Sequence, residues 1–137
     1  MIDRNTEFGR RVERHLRQDE TVWIVTVNAD GTPEPSVVWF HWDGQEILVR
    51  SQPTRKVRNL ERNPRVALHF DSDGRGGDMV ILTGTARVES PGPGPEGAAG
   101  YMAKYREGIK GIGLTPEQMA ASYSVAIHIT PTKLRGH

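Results

Sequence analysis

Residues able to do chemistry cluster in one short segment of this 137-residue chain, Ile47-Leu48-Val49-Arg50-Ser51-Gln52-Pro53-Thr54-Arg55-Lys56. A strand-like run delivers the chain to the start of a helix-like one, and Thr54 stands where an N-cap belongs. The first helical N–H groups lack intrahelical partners, and the helix dipole places partial positive charge there, so phosphate binds readily at such a terminus. Arg55 can add a bidentate fork and Lys56 a point charge, with Ser51 and Gln52 as neutral donors at the strand end. There is no Gly-x-x-x-x-Gly-Lys pattern, so the segment is not a P-loop. From Arg50 to Arg65, six basic residues (Arg50, Arg55, Lys56, Arg58, Arg62, Arg65) stand against one acid, Glu61, in a chain of net charge +1. A solvated basic helix face has the same composition as an anion site, and charge alone does not choose between them.

Other chemistries find less support. With no cysteine there is no thiolate nucleophile, disulfide or Cys-based zinc site. The histidines, at 15, 41, 69, 128 and 137, include no i,i+3 or i,i+4 pair, so no helical metal motif exists and no metal is expected. His41 and His69 fall on strand-like runs and read as structural. No Gly-x-Ser-x-Gly elbow is present. Trp23, Trp39 and Trp42 could stack on bases, but strand aromatics are more often core or interface residues. The near-neutral charge gives no case for a nucleic-acid partner. Apolar runs are strand-sized and the N-terminus has no signal-like segment, so the expectation is a cytoplasmic protein with no membrane partner. Tyr101 and Tyr105, four apart, read as core packing in preference to a substrate-pocket wall.

The elements that must position the segment follow from periodicity. Phe8, Val12 and Leu16 recur every four residues, predicting a helix over 5–17. Strands are expected over 22–27, 37–42 and 46–51, joined at Asp30-Gly31 and Asp43-Gly44, where both turn residues tolerate positive φ. Two consecutive hairpins would make a three-stranded meander. A short helix containing Val57 and Leu60 ends at Asn63-Pro64. Strands over 65–71 and 79–89 follow, flanking a Gly-rich loop over 72–78, and Gly84 marks a bend or close approach. Pro91 to Pro95 breaks the pattern. Helix over 96–106, a capped helix start at Thr115-Pro116-Glu117-Gln118 and a last strand over 124–129, closed by Pro131, complete the chain. The expectation is one mainly β domain over 1–137, a small six-stranded barrel with inserted helices.

The stretch from Val22 to Val88 resembles the pyridoxamine-phosphate-oxidase-like split β-barrel superfamily. The resemblance rests on Thr26-Val27-Asn28-Ala29-Asp30-Gly31-Thr32-Pro33, Pro35-Ser36-Val37-Val38-Trp39-Phe40, Ser51 to Leu60 with Asn63-Pro64, and Gly84-Thr85-Ala86-Arg87-Val88. Within it the chain is most similar to the short actinobacterial deazaflavin-dependent group. That resemblance implies an F420-dependent oxidoreductase reducing a small-molecule substrate, with an FMN enzyme or a non-catalytic cofactor carrier as alternatives on the same fold. It implies that Ser51, Arg55 and Lys56 grip the cofactor phosphate, with Gln52 and Thr54 in the same pocket. Ser36, Val37, Val38 and Trp39 would lie along the ring. It also implies a homodimer with the cofactor between subunits, the loop Arg75 to Asp78 being the candidate contribution from the partner. Arg50 and Arg58 would either meet the acidic oligoglutamate tail of F420 or be solvated. No residue stands out as a general acid. The C-terminus, Pro131 to His137, lacks the Arg-Leu-x-Pro ending of true pyridoxamine-phosphate oxidases, which argues against vitamin B6 oxidation.

Overall fold

The structure, a computed structural model, describes residues 1–137. Helix α1 (Glu7–Gln18) opens the chain. The Thr6 hydroxyl caps it by accepting from Gly9 N, and Val12 and Leu16 are fully buried, as their spacing predicts. Strands β1 (Thr21–Val27) and β2 (Pro33–Trp39) pair antiparallel, and β3 (His41–Trp42) pairs with β4 (Ile47–Ser51). Gly31 and Gly44 adopt φ of +89° and +100° at the two expected turns. After α2 (Arg55–Arg62) come β5 (Arg65–His69) and β6 (Val80–Glu89). A 3-10 turn (Pro95–Ala98) leads into α3 (Ala99–Lys104), α4 (Arg106–Gly111) and α5 (Pro116–Ser122), and β7 (Val125–Gly136) ends the chain.

The sheet has seven strands in the order β2-β1-β5-β6-β7-β4-β3, not six, and it does not begin with a meander. The single strand expected over 37–42 is interrupted at Phe40. The residues before Phe40 belong to one edge of the sheet and those after it to the other. A sheet whose two edge strands are consecutive in the chain must curl until those edges meet, giving a mainly β half-barrel. Phe40 is therefore the seam. Its side chain is fully buried, with its ring 5.7 Å from Phe70. The ladders leave its backbone to side chains: Tyr105 Oη accepts from Phe40 N (2.8 Å), and Lys104 Nζ donates to Phe40 O (2.9 Å). Tyr105 Oη also lies 2.6 Å from Glu20 O and 2.8 Å from Phe40 O, either of which can take its proton.

Two further expectations need correction. The last strand does not stop at Pro131. It runs on to Gly136, because Pro131 falls opposite Gly84 at a register shift, where a missing N–H is tolerated. Gly84 is the close approach foreseen for it: a Cβ there would lie 2.2 Å from Thr130 O. The expected single helix over 96–106 is a 3-10 turn followed by two short helices that break at Tyr105. Asx-type contacts hold the Gly-rich loop, Asp73 Oδ1 accepting from Arg75 N and Gly77 N. The capping box at Thr115 and Gln118 is present as read.

The core has two parts. The larger fills the half-barrel and includes Ile24, Val49, Leu68, Leu82 and Ile127, closed off by α1. The smaller unites α3, α4 and α5 around Tyr101, Tyr105, Ile109 and Met119. Arg50 joins the two. Only 5% exposed, it donates from Nε to Tyr123 O (3.0 Å), from Nη1 to Pro93 O (2.6 Å) and from Nη2 to Ala120 O (3.1 Å). At the opposite end, His15 of α1 lies 2.6 Å from Asp19 and 2.9 Å from Asp78, which also accepts from Arg11 (3.0 Å).

Tyr105→Phe keeps the ring but leaves the seam N–H buried without an acceptor. It should lower unfolding stability by about 1–3 kcal/mol in urea titration. Burial pulls the His15 pKa down, but hydrogen bonds to Asp78 and Asp19 more than reverse this and leave it raised. The Asp78 pKa is lowered, by the His15 hydrogen bond foremost. The His15 contribution is thus complete below the ordinary histidine value of about 6.5 and is lost as pH rises through the raised one. That of Asp78 is lost as pH falls through its depressed value. Thermal melts of His15→Gln should accordingly fall furthest below wild type near pH 5–6, with the gap narrowing in alkaline solution.

Candidate functional site

The end of β4, the start of α2 and the outer half of β2 converge on one cleft of about 350 Å³. From β2 come Val37, Val38 and Trp39, and from the β4–α2 segment come Arg50, Ser51, Gln52, Thr54 and Lys56. The small helices and the residues that follow them supply the remaining wall, with Tyr101, Ile112, Met119 and Tyr123. Eight of the ten residues singled out from the sequence therefore meet here, although β2 and β4 are not neighbours in the sheet. Curling of the sheet is what brings them together.

The apolar wall is held from behind. Trp39 stacks on Tyr105, ring centroids 4.6 Å apart and planes within 1°. Tyr105 is itself fixed by the seam, so the indole position follows from the closure of the barrel. Val37, by contrast, is 48% exposed at the rim.

The polar wall is electropositive and open. No aspartate or glutamate lines the cleft, whereas Arg50 and Lys56 do. Lys56 Nζ is half-buried and makes neither an ion pair nor a hydrogen bond to the protein, and burial lowers its pKa. Thr54 occupies the N-cap position of α2, yet its side chain makes no capping bond, and the N–H groups of Arg55 and Lys56 have no backbone partner. Ser51, 5% exposed, donates its hydroxyl to Gln52 O (2.6 Å), and rotation would release it. Two unbonded N–H groups, the unbonded Thr54 hydroxyl and an unpaired ammonium make a donor set that fits a phosphate.

The other site residues lie elsewhere. Ser36 and Arg55 are outside the cleft lining. Arg55 is on the rim, 64% exposed and 4.0 Å from Glu34. It faces a second groove with Arg58 and Arg62, so Arg58 is exposed but points away from Lys56. Arg50 is neither solvated nor available to an acidic tail, because each guanidinium nitrogen already donates to a carbonyl. The loop residue Asp78 is bound to Arg11 and His15 of its own chain. His41 is packed under Gly100 of α3, where a Cβ would stand 2.3 Å from its ring. His69 stacks on Trp23 at 5.9 Å. Tyr101 is both packed in the core and part of the cleft wall, whereas Ile112, Met119 and Tyr123 are cleft residues that the sequence does not single out. The tyrosine spacing signalled a packed helix face, which it is, and nothing in the sequence near Ile112 or Met119 signals a cleft.

Comparison with known proteins places this geometry. The family model described as pyridoxamine 5'-phosphate oxidase matches residues 8–137. A solved structure named F420 reductase is similar, with TM-score 0.70 and 25% identity over 90% of this chain and 94% of that one. HutZ, a heme storage protein from Vibrio cholerae, shares the fold at TM-score 0.70 and 17% identity, over 96% of this chain and 95% of its own. General Stress Protein 26 from Bacillus anthracis does so at TM-score 0.67 and 19% identity, over 91% and 89%. A family match of this extent, on a curled sheet with an electropositive cleft, shows that the chain belongs to the pyridoxamine 5'-phosphate oxidase family.

Proposed function

We propose that this protein is an oxidoreductase that holds reduced coenzyme F420 in the cleft and delivers hydride to an electron-poor small organic substrate. One observation carries the reading: an unpaired, half-buried ammonium and an open helix start face an apolar, aromatic-backed wall across a space free of carboxylates. The fold supports flavin-type cofactor binding, and similarity to the F420 reductase favours the deazaflavin over FMN. When bound, the deazaflavin supplies the hydride.

The chain's own residues bind and orient. Lys56, the first N–H groups of α2, Thr54 and Ser51 hold the cofactor phosphate, and Gln52 adds an amide at the same end. Arg55 assists from the rim. Val37, Val38 and Trp39 offer a flat surface to a ring, and the Trp39–Tyr105 stack keeps it from collapsing inward. These apolar walls also exclude water, which strengthens each charge-assisted bond in the site. A second copy of the chain over the exposed rim at Val37 belongs to the same proposal, as the resemblance implies. Sedimentation at micromolar concentration should show the dimer.

Fluorescence titration with F420 and, separately, FMN tests the reading. Selective binding of F420 is expected, preference for FMN would move the chemistry to the flavin, and binding of neither would end the proposal. Lys56→Ala should weaken binding by about 1.5–3 kcal/mol, the worth of a hydrogen bond to a charged group. Arg55→Ala should cost less, because its guanidinium is largely in water. Since burial lowers the Lys56 pKa, affinity should hold at neutral pH and fall as pH rises through that depressed value. Lys56→Arg, charged throughout, should abolish that decline.

A further inference from the structure

Glycine is the poorest helix former after proline, yet Gly108 stands inside the six-residue helix α4. The backbone does not require it there. Its φ lies outside the left-handed region, and its carbonyl accepts from Ile112 N (3.1 Å) as in any helix. Space does require it. A Cβ on Gly108 would stand 3.0 Å from Trp39 Cη2 and 3.3 Å from Cζ2, whereas one on Gly111 of the same helix would meet nothing within 4 Å. The indole therefore rests on bare helix backbone at the far edge of its six-membered ring, and its face lies on Tyr105 with centroids 4.6 Å apart. Neither Gly108 nor Tyr105 lines the cleft, so both meet the indole from behind. Tyr105 is 4% exposed and pinned at the seam through its hydroxyl, which leaves it no room to yield. A methyl group on Gly108 would make its neighbour give by a few tenths of an ångström, and the free direction for the indole is into the cleft.

We propose that Gly108 is a specificity-determining residue, whose missing side chain sets the Trp39 indole back and so makes the cleft deep enough for a flat tricyclic ring. It is a positioning residue: it acts through Trp39 and touches no ligand itself. That the ring is a deazaflavin rests on the oxidoreductase reading above. A side chain on Gly108 would shorten the apolar wall and favour a smaller ring. The phosphate end at Lys56 and the start of α2, built from other elements, would not change.

The test compares Gly108→Ala with Gly111→Ala, each with Trp39 intact and with Trp39→Phe, which lacks both contacted atoms. Two ligands are titrated: 8-hydroxy-5-deazariboflavin, which has the ring without the phosphate, and inorganic phosphate, followed by ³¹P NMR. Gly108→Ala should bind the deazaflavin about 5-fold more weakly or worse, because overpacking a fitted site is costly, and should bind phosphate as wild type does. Gly111→Ala should match wild type for both. In the Trp39→Phe background, Gly108→Ala should have no effect. In ligand-free protein labelled with 5-fluorotryptophan, the ¹⁹F resonance that Trp39→Phe deletes should shift in Gly108→Ala and not in Gly111→Ala. A change in helix stability alone would move neither that resonance nor the ring affinity. Unchanged deazaflavin affinity in Gly108→Ala, or an unmoved resonance, overturns the proposal. So does an equal loss in the Trp39→Phe background, which would bypass the indole, or a matching loss of phosphate affinity, which would mean general disruption. If the resonance moves but wild type binds no deazaflavin, the oxidoreductase reading fails while the positioning of the indole by Gly108 stands.

Discussion

Closing a sheet whose edge strands are adjacent in the chain leaves one residue that belongs to neither ladder. Here that residue is Phe40, and its backbone polar groups sit in the core, where an unmet N–H or C=O costs as much as a lost hydrogen bond. Tyr105 and Lys104 meet the need from outside the sheet. The small helices are thus joined to the barrel by more than apolar contact. Because Tyr105 is fixed at the seam, its ring is fixed too, and with it the Trp39 indole stacked on it. The cleft inherits its back wall from the solution to a backbone problem.

The two cations bordering the cleft show how burial separates structural from binding roles. Arg50 and Lys56 are six residues apart and both are shielded from water. A buried guanidinium is tolerable only when its donors are engaged, and three carbonyls from two segments do this for Arg50. In return it ties the sheet to the connection after β6 and to the end of α5. Lys56 has no such set of acceptors. A partly desolvated ammonium without a counter-charge is unfavourable in isolation and most readily relieved by an anion from solution.

Much of this was legible in the sequence because local rules suffice for it. Alternation, Asp-Gly turns and the Thr115 cap depend on a few neighbouring residues, and those elements appear where expected. The β2 part of the apolar wall and the polar donors after β4 were likewise readable, since each lies within one short segment. What local rules cannot carry is pairing across the sheet. The run Val37 to Trp42 has the composition of one strand, and only curling of the sheet makes Phe40 a break. Pro131 looks like a terminator until Gly84 is seen opposite it. Arg50 was read as an exposed charge because its three acceptors come from positions 93, 120 and 123, and none of those residues advertises a free carbonyl. Arg55 and Lys56 are adjacent, yet a helix turns successive residues by about 100°, so Lys56 faces the cleft and Arg55 the neighbouring groove.

Pro33 and Pro35 of β2 have a bearing on how this chain behaves in company. β2 ends the sheet order and is exposed or half-exposed along its length, Val37 included at 48%. An edge of that kind is an invitation to strand addition, the route by which β proteins aggregate. A proline has no N–H to offer, and two of them in three residues leave the outer margin of β2 a poor template for another ladder. The strand can therefore present an apolar rim to a ligand or a subunit through its side chains, while its backbone discourages indiscriminate polymerisation.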